Sequence, residues 1–370
     1  MPPSGENRGR RVLPLAIALV VLIAAGVAGA LIANAVNSPS NATTTTAAGG
    51  SAGGSAGGSV CDVTAIADRE LPSVVTIFAG SGTSSGVGSG EVIRSDGYIL
   101  TNNHVISPAA AGGALQVVFA DGSASAATIT GRDPLTDLAV IRVSGKSDLR
   151  TISVGNSSDL RIGQGVVALG APLGLSSTVT SGIVSALGRT VHVPGEAQQT
   201  ALLIDAVQTD AAINPGNSGG ALVNCAGALV GVPTAGASIP SASGEASGGS
   251  IGLGFAIPVN LATKVADEII ATGKVTHAFI GIQTEPLSAS ATGESGTQGL
   301  RVAAVVAGGP AESAGLRVGD IITSIDGTAA ASTDQLIAVT LTKRAGDRVE
   351  IGYERNGSKA TATITLSARS

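Results

Sequence analysis

Between Val74 and Phe255 the sequence advances in short apolar or alternating runs, each closed by a turn signal, and a chain with that cadence builds strands rather than long helices. Val74-Val75-Thr76-Ile77-Phe78 is one such run; Leu115 to Phe119, Leu138 to Val143, Val166 to Leu169, Val179 to Val184, Leu202 to Ala206 and Leu229 to Val232 are others. Ser95-Asp96-Gly97 and Asp121-Gly122 are hairpin signals, because glycine enters the left-handed region such turns demand. The pattern predicts an all-β barrel or sandwich. A helix then closes the segment: Leu261, Val265, Ala266, Ile269 and Ile270 recur at helical spacing, and Gly273 is a stop signal. Only 2% of residues are aromatic, so the core has to be packed from Val, Ile, Leu and Ala. That scarcity, with a formal net charge of -5, leaves neither a stacking platform nor a basic face for nucleic acid. Two cysteines and three histidines at these spacings predict no metal site and no cofactor.

Three segments inside this region carry chemistry. Thr101-Asn102-Asn103-His104-Val105 supplies a base, Thr136-Asp137-Leu138-Ala139-Val140 an acid, and Gly216-Asn217-Ser218-Gly219-Gly220 a serine on a glycine-flanked turn. A serine hydroxyl is a poor nucleophile unless a neighbouring base takes its proton as it attacks a carbonyl. Imidazole can accept that proton at neutral pH and return it to the leaving amine, so His104 is the candidate base. A carboxylate on the far ring nitrogen holds the tautomer, which is the role expected of Asp137. Asp133 and Asp210 are the other nearby carboxylates, and His192 and His277 lie in loop-like surroundings without a matching motif. Gly216 and Gly219 permit backbone angles closed to other residues, so that the N–H groups of Gly216, Asn217 and Ser218 can converge on a developing oxyanion.

The base, acid and nucleophile stand in the order of chymotrypsin-like proteases, and at these motifs the chain resembles the HtrA (Deg) family of trypsin-like serine proteases from about residue 61 to the C-terminus. The resemblance implies a mainly β, chymotrypsin-like protease domain at 61–275 made of two six-stranded barrels, with His104 and Asp137 in the first and Ser218 in the second. It implies that Ile213 lines the primary specificity pocket. No acidic residue stands at the matching positions, which points to small or medium aliphatic preference rather than to Arg or Lys. It implies further that loops beside the nucleophile, here the Gly/Ser/Ala-rich Pro233 to Ser250, switch between inactive and active arrangements.

From 276 to 370 the chain reads as a separate α/β module that resembles a PDZ domain. Phe279-Ile280-Gly281-Ile282 matches the loop whose backbone N–H groups capture a peptide's terminal carboxylate, the next strand edge taking the peptide by β-addition. Pro310 opens a short helix in Gly309 to Leu316 and Gly315 ends it. Asp326-Gly327 and Asn356-Gly357 are hairpin signals, and Ser332 or Thr333 is expected to cap a helix running through Leu341.

The N-terminus sets the expected compartment. Val12 to Val36 is an uncharged apolar stretch of about 25 residues, long enough to cross a bilayer. Arg8, Arg10 and Arg11 precede it and no basic residue follows until Arg69, which puts residues 1–11 in the cytoplasm, a single transmembrane anchor at 12–36 and the rest outside. Ala33-Asn34-Ala35 has the small-x-small form of a signal-peptide cleavage site, and that alternative stays open. Residues 37–60, mostly Ser, Thr, Gly and Ala, read as a flexible tether. Cys61 and Cys225 can pair in such a compartment, a cross-link worth up to ~5 kcal/mol in the chain-entropy model, or remain as two thiols.

The expected function is therefore a membrane-anchored extracytoplasmic serine endopeptidase acting on misfolded or regulatory proteins, with the C-terminal module binding polypeptide C-termini. A chaperone or peptide-binding scaffold with secondary proteolysis is the alternative. The expected partners are unfolded or C-terminally exposed polypeptides, the membrane through one helix, and further copies of the chain, by resemblance a trimer.

Overall fold

Leu138-Ala139-Val140-Ile141 is apolar without alternation, and all four residues are fully buried, because strands here are covered on both faces. In the computed structural model, which describes residues 61–369 except 83, 172–176, 195, 197–199, 237–249 and 288–298, six antiparallel strands close into a first barrel. They are β1 (Val74–Ser81), β2 (Ser84–Val92), β3 (Tyr98–Asn102), β4 (Ala114–Val118), β5 (Ala124–Asp133) and β6 (Leu138–Val143), in the order β1-β2-β3-β6-β5-β4. Val75, Ile77, Ile99, Val117 and Ile141 fill its interior. Their neighbours Leu100, Leu138 and Val140 point the other way and join Leu203, Val232 and Ile257 of a second barrel in one shared apolar layer. Each such side chain removed from water contributes roughly 1.5–3 kcal/mol, so the layer holds the barrels together.

The second barrel closes in the order β10-β11-β12-β9-β8-β7. Its strands are β7 (Gly165–Gly170), β8 (Thr178–Pro194), β9 (Thr200–Thr209), β10 (Ala221–Asn224), β11 (Leu229–Gly236) and β12 (Gly254–Pro258). The expected run Val179 to Val184 is only the beginning of β8, whose register with β9 shifts repeatedly. Ser84–Val92, whose sequence SSGVGSGEV gives no strand signal, is nonetheless a strand because β1 and β3 pair with it on either side.

Helices bracket the two barrels. Asp62 accepts the Ala65 N–H at 3.0 Å and so caps α1 (Val63–Glu70), which sends Ile66 against Val167, Leu169 and Leu229. A disulfide joins Cys61, just ahead of that helix, to Cys225 in the turn after β10. The four-residue α2 (Asn103–Ile106) follows β3. Helix α3 (Val259–Thr272) lays Ala262, Val265, Ala266 and Ile269 into the layer between the barrels, and Gly273 ends it in the left-handed conformation at φ 79°.

The C-terminal module has its own core of Leu300, Val302, Ile322, Val349, Ile351 and Ile364. Its elements are β13 (Ala278–Phe279), β14 (Ile282–Pro286), β15 (Leu300–Val305), α4 (Pro310–Ser313), β16 (Ile321–Ile325), β17 (Thr328–Ala329), α5 (Thr333–Thr342), β18 (Arg348–Arg355), β19 (Ser358–Thr365) and β20 (Ser367–Ala368). The main sheet runs β14-β15-β16-β18-β19, which leaves β14 at an edge, while β13 pairs with β20. Ser332 caps α5 in a full capping box with Gln335. The segments 12–36 and 37–60, read above as anchor and tether, lie outside the described residues; among the described residues no helix is long and apolar enough to cross a membrane.

Candidate active site

Asp137 is built into the site by an unusual backbone. It closes the turn between β5 and β6 at φ 55°, left-handed for a non-glycine residue. Its carbonyl offsets the strain by accepting from Asn102 Nδ2 at 2.8 Å and from the Asn103 N–H at 3.1 Å. The same two asparagines lead into α2, so the turn and the helix that carries His104 are one hydrogen-bonded piece. His104 donates its backbone N–H to Asp137 Oδ1 at 3.0 Å, and its Nδ1 lies 2.8 Å from Oδ2 and 3.1 Å from Oδ1. The carboxylate is buried and the imidazole is more than one-third exposed, the arrangement that leaves the far nitrogen open to a substrate.

Ser218 arrives from the second barrel. Its Oγ donates to the Thr234 carbonyl at 3.2 Å, and the Thr234 hydroxyl donates in turn to Asp137 Oδ2. Thr234 thus ties Ser218 to Asp137 across the two barrels, a link with no signal in the sequence. Strand β2 pins the loop carrying Ser218 from the first barrel. The Ser89 hydroxyl donates to the Gly216 carbonyl at 2.6 Å and accepts from the Ala171 N–H at 2.8 Å, while the Ser89 N–H donates to the Ser218 carbonyl at 2.9 Å. At Gly219, with φ 78°, a Cβ would stand 2.4 Å from the Ser89 carbonyl oxygen, so the close approach requires glycine. The Gly88-Ser89-Gly90 pattern was the available sign of that contact.

Of the three N–H groups expected to face an oxyanion, that of Asn217 is committed to the Asn214 carbonyl at 3.0 Å and leaves the set. Those of Gly216 and Ser218 have no protein acceptor among the described residues. Ile213, just ahead of this loop, is buried in the second barrel with Leu160, Val166 and Val184. The other carboxylates have different partners. Asp210 Oδ1 accepts from the Ile183 N–H at 2.7 Å, and Asp133 accepts from Thr136 Oγ1 at 2.5 Å and from His277 Nε2 at 2.9 Å. The expected switching loop falls largely on 237–249, outside the described residues.

A second concave site lies on the C-terminal module. Phe279, Ile280, Gly281 and Ile282 line a cavity of about 650 Å³ together with Leu336, Ile337 and Thr340 of α5. Gly281 takes φ 82°, and the Val306 N–H holds its carbonyl at 2.9 Å. The wall opposite comes from the barrels, through Leu135, His192 and Leu202.

A trypsin-like peptidase domain matches residues 88–232 and a PDZ domain residues 278–366. A solved HtrA-type protease, AlgW with a decapeptide, superposes with a TM-score of 0.65 at 34% identity, over 84% of this chain and 99% of AlgW. The chain belongs to the HtrA family of serine proteases. Among curated relatives, serine protease PepD of Mycobacterium tuberculosis (strain ATCC 25618 / H37Rv) is 45% identical over 311 residues, 82% of this chain and 66% of PepD. The Pseudomonas putida (strain W619) protein named "Probable periplasmic serine endoprotease DegP-like" is 39% identical over 285 residues, 76% of this chain and 56% of that protein. The chain thus spans between about half and two-thirds of the length of these curated HtrA relatives.

One buried group stands apart from the site. Glu91 lies on β2 with its side chain turned from the first barrel's interior, which Gly90 faces, towards the second. Its ladder neighbours are Val74 and Leu100, both packed into the layers between the barrels. Among the described residues neither carboxyl oxygen has a hydrogen-bond donor in good geometry. Burial holds this carboxyl well above the usual carboxylate range, with its own backbone N–H acting weakly the other way. The folded state thus binds the proton more tightly than the unfolded chain, so stability is fully present below the unfolded-state value and is lost as pH rises through the raised folded-state value. Glu91→Leu should gain roughly 1–3 kcal/mol at neutral pH, and much less near pH ~4. Denaturant midpoints of the two proteins at both pH values check this; a gain independent of pH would show that packing alone is responsible.

Proposed function

We propose that this HtrA-family chain is an extracytoplasmic serine endopeptidase in which His104, Asp137 and Ser218 form the catalytic triad. The observation that carries it is the bonded pair His104–Asp137, linked through Thr234 to the hydroxyl of Ser218. For the reaction, Ser218 Oγ turns from the Thr234 carbonyl to His104 Nε2, which takes its proton as the oxygen attacks the scissile carbonyl. Asp137 keeps Nδ1 protonated and stabilises the imidazolium. The N–H groups of Gly216 and Ser218 receive the oxyanion, and His104 returns the proton to the leaving amine. Ile213 forms the apolar base of the specificity pocket, and the enzyme works as a homo-oligomer, by family likeness a trimer, on unfolded or regulatory polypeptides.

In this reading the protease domain occupies 61–275 and the PDZ domain 276–370. The cavity at Phe279 to Ile282 takes a free polypeptide C-terminus, whose carboxylate is held by that loop's backbone N–H groups while the peptide adds to the edge of β14. AlgW, solved with a decapeptide, supports a peptide ligand. Docking there shifts the balance towards the active loop arrangement by its differential affinity for the two states. Casein cleavage by the full chain should therefore rise to a plateau with a peptide ending in a free apolar residue, and should not respond to the C-terminally amidated peptide. Equal stimulation by both would sink the gating role.

Residues 12–36 anchor the enzyme with its N-terminus inside, and the periplasmic name of the Pseudomonas putida relative fits an extracytoplasmic catalytic domain. Protease added to cells whose cytoplasmic membrane is intact and accessible should cut the tether at 37–60. Protection until lysis would reverse the orientation.

A further inference from the structure

We infer that His277 is a positioning residue for the catalytic acid, acting from the PDZ side of the linker through Asp133. The acid turn, residues 133–137, is held open by one carboxylate. Asp133 Oδ2 accepts from Thr136 Oγ1 at 2.5 Å, Oδ1 accepts from the Leu135 N–H at 3.3 Å, and the turn ends at Asp137 in its left-handed conformation. Oδ1 takes a further bond from His277 Nε2 at 2.9 Å, and this donor comes from outside the barrels. Both partners are shielded from water, the Asp133 side chain being 4% and the His277 side chain 11% exposed. A carboxylate buried to that degree needs each of its donors, because an unmet acceptor in a dry site is costly.

His277 is itself placed by the C-terminal module. It directly precedes β13, and its carbonyl accepts the Arg369 N–H at 3.0 Å just beyond β20. Leu135, in the middle of the acid turn, packs against the cluster of Leu202 and Ile204 from β9 and Leu341 from α5, so the turn touches barrel and module together. The charged or titratable groups about the imidazole are Asp133 from β5, with Arg369 and His192 of β8 on the same cavity, while Glu268 of α3 accepts the Thr276 N–H at 2.8 Å one residue before. Position 277 is thus a brace on the acid turn.

The inference rests on the triad reading, and the test separates the two. Full-length protein carrying His277→Ala, His277→Gln or His277→Arg is assayed on a peptide substrate, and hydrogen exchange of the backbone amides of 133 and 135–138 is measured beside wild type. His277→Ala should lose roughly tenfold in kcat with KM nearly unchanged and exchange faster over 133–138. His277→Arg, which keeps a side-chain donor for Asp133, should restore kcat and protect those amides. His277→Gln, which also keeps a side-chain donor, should retain part of both kcat and protection. Unchanged kcat and exchange in His277→Ala, or no recovery of either in both His277→Gln and His277→Arg, would overturn the inference and leave His277 as plain linker packing. Failure of a fluorophosphonate to label Ser218 in wild type would instead overturn the triad, and the exchange data would still report on the brace.

Discussion

Ser218→Ala or His104→Ala removes nearly all casein cleavage, by on the order of 10⁶-fold, because nucleophile and base act as a unit and either loss leaves only binding and the oxyanion donors. The alanine at 218 is well tolerated by the fold. The hydroxyl makes one bond, to the Thr234 carbonyl at 3.2 Å, while the loop is held by backbone and by Ser89. Thermal unfolding of the variant should therefore match wild type, which separates lost chemistry from lost structure. A fluorophosphonate should label wild type at Ser218 alone. Cleavage surviving in Ser218→Ala, or labelling at another serine, would remove Ser218 from its role.

Asp137→Asn costs about 10⁴-fold in turnover with the fold intact. The carboxylate accepts from the His104 N–H, His104 Nδ1 and the Thr234 hydroxyl. A carboxamide has one acceptor oxygen, and its NH₂ facing Nδ1 selects the imidazole tautomer with the proton on Nε2, where it cannot accept from Ser218. Asp210→Asn should stay within a few-fold of wild type, since Asp210 binds the Ile183 N–H. Asp133→Asn should lose no more than about tenfold, through the acid turn. Turnover numbers for the three variants decide among them; a 10⁴-fold loss at Asp133 or Asp210, with Asp137→Asn active, would move the acid.

Much of the architecture was legible in sequence because it is local. Val74 to Phe78 and Leu138 to Val143 announce strands by composition, Asn356-Gly357 a hairpin by its backbone freedom, and Ser332 a helix start by its capping hydroxyl. Ser84–Val92 was not legible. A strand of glycines and serines has no propensity to read, and it exists because its neighbours supply both ladders.

The same division runs through the candidate site. His104, Asp137 and Ser218, with the glycines about the serine, were readable from residue type and order, because the chemistry admits few substitutes. The residues that hold them together were not. Thr234 meets Asp137 across 97 positions, Ser89 meets Gly216 across 127 and His277 meets Asp133 across 144. Asn217 lost its expected N–H to a turn bond with Asn214, and Glu91 was buried without a partner. The sequence by itself determined which groups this chain can use, since residue chemistry and short-range backbone preference travel with the residue. Only the tertiary structure decided which of them meet and which are sealed from water, because contact and desolvation depend on the closing of two barrels against each other.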